Sequence, residues 1–281
     1  MLVYDKSGKE VAVGQQAIVA QTDTVKTVNH RGYTKDGAVE NTMNAFKASL
    51  LHGYSHVETD IRFTADNVCV LLHDESINRI AFNSDGTELT EIVNIADITY
   101  EEALNYKFGT GSNETHIATL KEFAEWCKVF NVHPYVEIKA GTQEQVALAY
   151  DICQKEGITR NMSWIATSLT HLRYIVDLDR TCRFGYLYYT AESFETMKTM
   201  KTSYNHPFIS QSFQSFSEDN AQTILDEGFE LEVWTLNRLS SLQAKGLKTS
   251  TELLKWVTSN GCTGITSDDL HAQAILQDTY E

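Results

Sequence analysis

The chain has 281 residues, 42% of them hydrophobic, ample for a single large core. Its formal net charge of -15 repels nucleic-acid backbones and anionic membrane faces, so both are excluded as bulk electrostatic partners. The five cysteines (Cys69, Cys127, Cys153, Cys182 and Cys262) are odd in number and scattered without a C-x-x-C pair, which argues for buried thiols rather than a disulfide framework or a zinc site.

The start, MLVYDKSGKEVAVGQQ, has no basic stretch followed by an apolar one, so no signal peptide is expected and the cytoplasm is the expected location. A component of a virion or cell-surface assembly, or a fragment of a longer chain, would look the same. No apolar run approaches the roughly 20 residues of a transmembrane helix. Residues 1–25 differ in texture from the rest of the chain and are expected to form an N-terminal arm, either docked on another protein or domain or packed on the main body.

From residue 26 to 281 short β-branched runs alternate with longer helical stretches. Strands are predicted at 27–29, 55–61, 68–72, 135–138, 163–166, 183–187, 208–210, 231–235 and 264–266. Helices are predicted at 42–51, 120–130, 143–155, 169–177, 191–200, 217–227 and 251–259. This alternation argues for a parallel sheet with helical crossovers, and the length suits an α/β (β/α)₈ barrel. Such a barrel has eight strands, one fewer than predicted. The connection from Ile61 to Val68 is too short for a parallel crossover, so 68–72 is expected to be the return arm of a hairpin. A two-residue turn centred between Ala65 and Asp66 would set Glu58 opposite His73, and Glu58, Asp60 and His73 would then share a face. Residues 75–118, polar and Asn-rich with a short helix expected near 100–105, read as an insertion beside the barrel mouth.

Four stretches carry candidate chemistry. VNHRG ends the first strand; His30 can transfer protons near neutral pH, and Arg31 can fork onto a phosphate. Taken alone, a satisfied surface histidine is the commoner meaning. Glu58 and Asp60 end the second strand, where two convergent carboxylates need a cation or a shared proton; hard oxygen ligands suit Mg²⁺ or Ca²⁺. The rival reading is a solvated acidic edge. Glu137 and Lys139 share a face on the next barrel strand, as a third ligand and a phosphate-holding cation or as a plain ion pair. Trp234 is placed to wall the pocket or to pack in the core, and Asp268 reads as a turn or helix cap.

In order and spacing these stretches resemble the glycerophosphodiester phosphodiesterase family. The resemblance runs through His30-Arg31-Gly32, Glu40-Asn41-Thr42, the acidic pair with its hairpin, His73-Asp74, Glu137-Ile138-Lys139, Val233-Trp234-Thr235-Leu236-Asn237 and Gly264-Ile265-Thr266. It implies a TIM-like barrel with a small insertion after the second strand and a divalent metal, Ca²⁺ or Mg²⁺, held by Glu58, Asp60 and Glu137. It further implies His30 and His73 as the acid–base pair, Arg31 and Lys139 as phosphate ligands, and Glu40 as a supporting residue. Val39 stands where the family has proline, Thr59 where it has leucine, and Thr167-Ser168-Leu169 where it favours Ser-Ser-Phe. The implied reaction releases glycerol 3-phosphate and an alcohol from a small glycerophosphodiester. The same chemistry on lysophospholipids, or on glycerol-phosphate polymers within a wall-targeting or phage-tail assembly, is an alternative. A non-catalytic phosphate-binding module is a further one, disfavoured because both histidines, the three acids and the lysine all stand.

Overall fold

The computed structural model describes residues 3–4, 10–11, 25–234 and 250–268. Of the expected arm, Val3–Tyr4 pairs antiparallel with Glu10–Val11, and the rest of the arm up to residue 24, with any docking role, lies outside the described residues.

Eight parallel strands follow in chain order: Lys26–Asn29, His56–Phe63, His133–Ile138, Ser163–Ala166, Arg183–Tyr186, His206–Ser212, Glu230–Trp234 and Cys262–Ser267. Each pairs with its neighbours, and the first pairs with both the second and the eighth, which closes the (β/α)₈ barrel. The loops that enter the helices explain much of this local order. Thr42, Thr119, Thr142, Ser168, Thr190 and Ser217 each stand just before a helix and accept a hydrogen bond from its free first-turn N–H groups. At Thr119 and Thr142 a Glu122 or Gln145 side chain bonds back, completing a capping box. All five cysteines are buried and free.

Apolar side chains fill two layers. A large cluster including Val57, Ile61, Val136, Trp164, Phe184 and Ile209 lies between barrel and helices. Inside the barrel Val28, Tyr135, Ile165, Leu187 and Phe208 pack together. Beneath them, where the strands begin, lies a charged floor. Arg183 donates to Glu230 (2.8 Å) and Glu232 (2.7 Å), and its guanidinium lies 4.0 Å from the Phe208 ring centre. Lys26 donates to Glu230 (3.1 Å), and the Tyr135 hydroxyl donates to Glu232 (3.0 Å). Glycines open the space this requires: a Cβ on Gly185 would come within 2.2 Å of Phe208, and one on Gly264 within 2.7 Å of Glu232.

Cys69–Leu71 returns antiparallel along the end of the second strand, the expected hairpin arm. Its register differs from expectation by one residue. Ile61 faces Leu71, Arg62 faces Val70 and Phe63 faces Cys69, so a straight ladder would set His73 opposite Thr59 rather than Glu58. The cause is Asn67, which takes a left-handed conformation (φ 62°) and makes the turn three residues long, with Thr64 and Val68 closing it. Residues 75–118 form the expected insertion around a small core of their own, Ile77, Ala81, Ile95, Ala103, Phe108 and Ile117, completed by Val70 and Leu72 of the arm. Its short helix is Tyr100–Ala103. Among the described residues no helix is long and apolar enough to cross a membrane.

Candidate active site

The charged mouth lies at the opposite end from the floor, where the strands finish. Glu58, Asp60 and Glu137 are buried, and their ligand oxygens lie within 4.8 Å of one another. The register explains the meeting: Asp60 stands beside Glu137 on adjacent strands, and Glu58 one pleat below on the same face.

The loop after the first strand wraps this cluster. Arg31 (φ 55°) and Gly32 (φ 84°) are both left-handed. A Cβ on Gly32 would meet that of Ala45 at 2.7 Å, so glycine lets the turn press against the first helix. The turn aims the Arg31 N–H at Glu58 Oε2 (2.9 Å) and the guanidinium at Glu40 (3.0 Å) and Asp60 (3.2 Å). Asn41, also left-handed, donates to Asp60 Oδ2 (2.9 Å) while its oxygen accepts from Thr59. Lys139 donates to Glu137 (2.9 Å) and lies 3.8 Å from Asp60.

Three acids thus face Arg31 and Lys139 at the centre. Glu58 Oε1 and Asp60 Oδ1 are buried with no hydrogen-bond partner. Burial, then the charges of Asp60 and Glu137, hold the Glu58 carboxyl well above the ordinary range, against His30 and Arg31. Burial and Asp60 likewise raise Glu137, against Lys139 and Arg31. Buried carboxylate oxygens that converge without hydrogen-bond partners fit a hard divalent cation such as Ca²⁺ or Mg²⁺.

Two imidazoles flank the acids. His30 Nδ1 bonds Asp268 (2.8 Å), and its Nε2 lies 4.0 Å from Glu58. His73 Nδ1 bonds Asp74 (2.6 Å). An ionised carboxylate only accepts, so Nδ1 carries the proton in both pairs and Nε2 is the nitrogen left clear of that bond. His73 reaches the mouth by leaving the ladder. Leu72 N–H still bonds Asp60 O (3.0 Å), Arg62 Nε then holds the His73 carbonyl (2.8 Å), and the ring lies in the fields of Asp60, Arg31 and Lys139. Burial pushes His30 down, but the Asp268 bond and the Glu58 charge outweigh it and its pKa is raised. At His73 burial, helped by Arg31 and Lys139, wins and the pKa is lowered.

Glu40 does not join the acidic cluster; it holds Arg31 from outside. Trp234, four strands round from Glu137, stands across the mouth with its Nε1 donating to Leu187 O (2.9 Å) and its ring edge-on to Tyr188. Asp268 bonds His30, a contact made only when the eighth strand closes on the first, and the turn or helix it was expected to cap lies outside the described residues.

The model of the glycerophosphoryl diester phosphodiesterase family matches residues 30–272. The chain belongs to that family. Rat glycerophosphodiester phosphodiesterase 1 is 28% identical over 163 residues, 56% of this chain and 46% of the rat protein, so the match spans about half of that relative's length. An uncharacterised protein of Mycoplasma genitalium is 26% identical over 220 residues, 76% of this chain and 87% of its own. Among solved structures, an Oleispira antarctica phosphodiesterase in complex with the product sn-glycerol-3-phosphate superposes with TM-score 0.73 at 17% identity, covering 92% of this chain and 98% of that one. A Silicibacter pomeroyi structure described as a glycerophosphoryl diester phosphodiesterase gives 0.75 at 18%, covering 92% and 94%. These glycerophosphodiester phosphodiesterases share the barrel. With the family comes its enzyme class, the phosphoric diester hydrolases that act on glycerophosphodiesters.

Proposed function

We propose that the chain hydrolyses small glycerophosphodiesters to glycerol 3-phosphate and an alcohol at this mouth. The observation that carries the reading is three buried carboxylates set between two imidazoles, each imidazole with its Nδ1 bonded to an aspartate.

Glu58, Asp60 and Glu137 would hold a divalent cation, which when bound supplies positive charge for the phosphoryl oxygens. Arg31, fixed by its left-handed turn and by Glu40, and Lys139, held beside Glu137, bind the phosphate and oppose the charge that develops on it. His30 and His73 work through Nε2. One takes a proton from the nucleophile, water or the neighbouring glycerol hydroxyl, and the other protonates the departing alkoxide. Trp234 walls the far side, where the organic part of the diester extends.

The test is a product assay on glycerophosphocholine beside a polyglycerol phosphate. Release of glycerol 3-phosphate from the small diester, with the polymer untouched, supports the reading. Turnover of the polymer alone replaces the substrate class, and no turnover of either removes the activity.

A further inference from the structure

Arg79 belongs to none of the motifs read from the sequence. It stands in the insertion, and its guanidinium forks onto two carboxylates from different parts of the chain. Nε donates to Asp74 Oδ2 (2.5 Å), Nη2 to Glu40 Oε1 (2.7 Å) and Nη1 to Glu40 Oε2 (3.0 Å). Each carboxylate has a second bond, Asp74 Oδ1 to His73 Nδ1 (2.6 Å) and Glu40 Oε1 to Arg31 Nη1 (3.0 Å). A continuous chain of bonds therefore runs His73–Asp74–Arg79–Glu40–Arg31.

We propose that Arg79 is a positioning residue that sets the orientation of His73 and Arg31 together. The inference rests on the function proposed above. Two carboxylates near one another repel; a planar fork with fixed donors holds both at once, which a lysine's single ammonium does less well. Burial pushes the Asp74 carboxyl up, but the bonds from Arg79 and His73 outweigh it and hold it at about 2, ionised and ready to fix the imidazole. The Arg79 side chain is 48% exposed, so the fold depends little on it and its effect on the reaction can be read separately.

The experiment measures glycerol 3-phosphate release from glycerophosphocholine, with melting curves, for wild type, Arg79→Gln, Arg79→Lys, Asp74→Asn, His73→Ala and the Arg79→Gln/Asp74→Asn double variant. Arg79→Gln should lower kcat/KM by about 10–100-fold, the range for outer partners of working groups, with melting unchanged. Arg79→Lys should recover part of the loss and remain at least about threefold below wild type. The double variant should be much less impaired than the product of the single losses, because both act through His73. Arg79→Gln or Arg79→Lys at wild-type activity, or fully multiplicative losses, would overturn the inference. If Arg79→Gln melts early, the Arg79→Lys result decides. An inactive wild type overturns the proposed function itself. An active wild type with inactive His73→Ala and unimpaired Arg79→Gln overturns only the role of Arg79.

Discussion

Buried charge gathers at both ends of this barrel, and the two gatherings differ in their balance. On the floor Glu230 and Glu232 are met by Arg183, Lys26 and the Tyr135 hydroxyl. Burial pushes Glu230 up, but Arg183 and Lys26 outweigh it and hold its carboxyl below the ordinary range. At the mouth Glu58, Asp60 and Glu137 outnumber the cations set among them, two of their oxygens have no hydrogen-bond partner, and the Glu58 and Glu137 carboxyls are held above the ordinary range. The floor is complete as it stands. At the mouth the burial and mutual repulsion of the acids are not offset by the cations beside them, an arrangement suited to a metal ion.

The largest effect is expected at the histidines. His30→Ala and His73→Ala should each lower kcat by about 10²–10⁴-fold, since each ring is assigned one proton transfer. Melting should stay at the wild-type value, because the side chains are 22% and 29% exposed and belong to none of the apolar core clusters. Loss of folding in either would move the mouth into the same class as the floor.

Arg183→Met is the reverse experiment. It leaves two glutamates without their main cation and should cost about 3–5 kcal/mol in urea unfolding, with kcat per folded molecule kept within about threefold. The pH dependence has a definite sign. Because the folded Glu230 carboxyl is depressed, its pairing stabilises above the ordinary carboxylate range and that stability is lost as pH falls through the depressed value. The margin of wild type over Arg183→Met should therefore narrow in acid, as urea midpoints between neutral pH and pH about 3 would show.

A smaller effect is expected at Asp268→Asn. The imidazole loses the carboxylate that fixes its tautomer but keeps its place, so kcat should fall about 10–100-fold without a change in melting. An unchanged kcat would return Asp268 to the turn-capping role that its position in the sequence suggested.

The barrel was legible because its signals are local. β-branched runs alternate with helices announced by Thr119-x-x-Glu122 and Thr142-x-x-Gln145, and the short link after Ile61 required a hairpin. Its register was not legible, since Thr64-Ala65-Asp66-Asn67 admits a two- or a three-residue turn and the choice rests on Asn67 turning left-handed. The acids could be read as a group because alternate residues share a strand face. Asp268 escaped because its contact with His30 spans 238 positions and exists only when the barrel closes. Arg79 escaped because its contacts reach Glu40, 39 positions away, from an insertion without periodic pattern. The floor escaped for a related reason: Arg183 and Glu230 each begin a strand, where a charge is ordinary, and only closure turns them inward.

If the imbalance of charge at the mouth serves to hold a cation, the ion should bind there and stabilise the fold. The direct measurement is calorimetric titration of chelator-treated protein with Ca²⁺ and with Mg²⁺, beside melting curves at saturating ion. One ion per chain is expected, with a higher melting temperature worth about 2.7 kcal/mol at a hundredfold excess over Kd, and both lost in Glu58→Gln. Absence of binding by the wild type, or equal binding by Glu58→Gln, would contradict it.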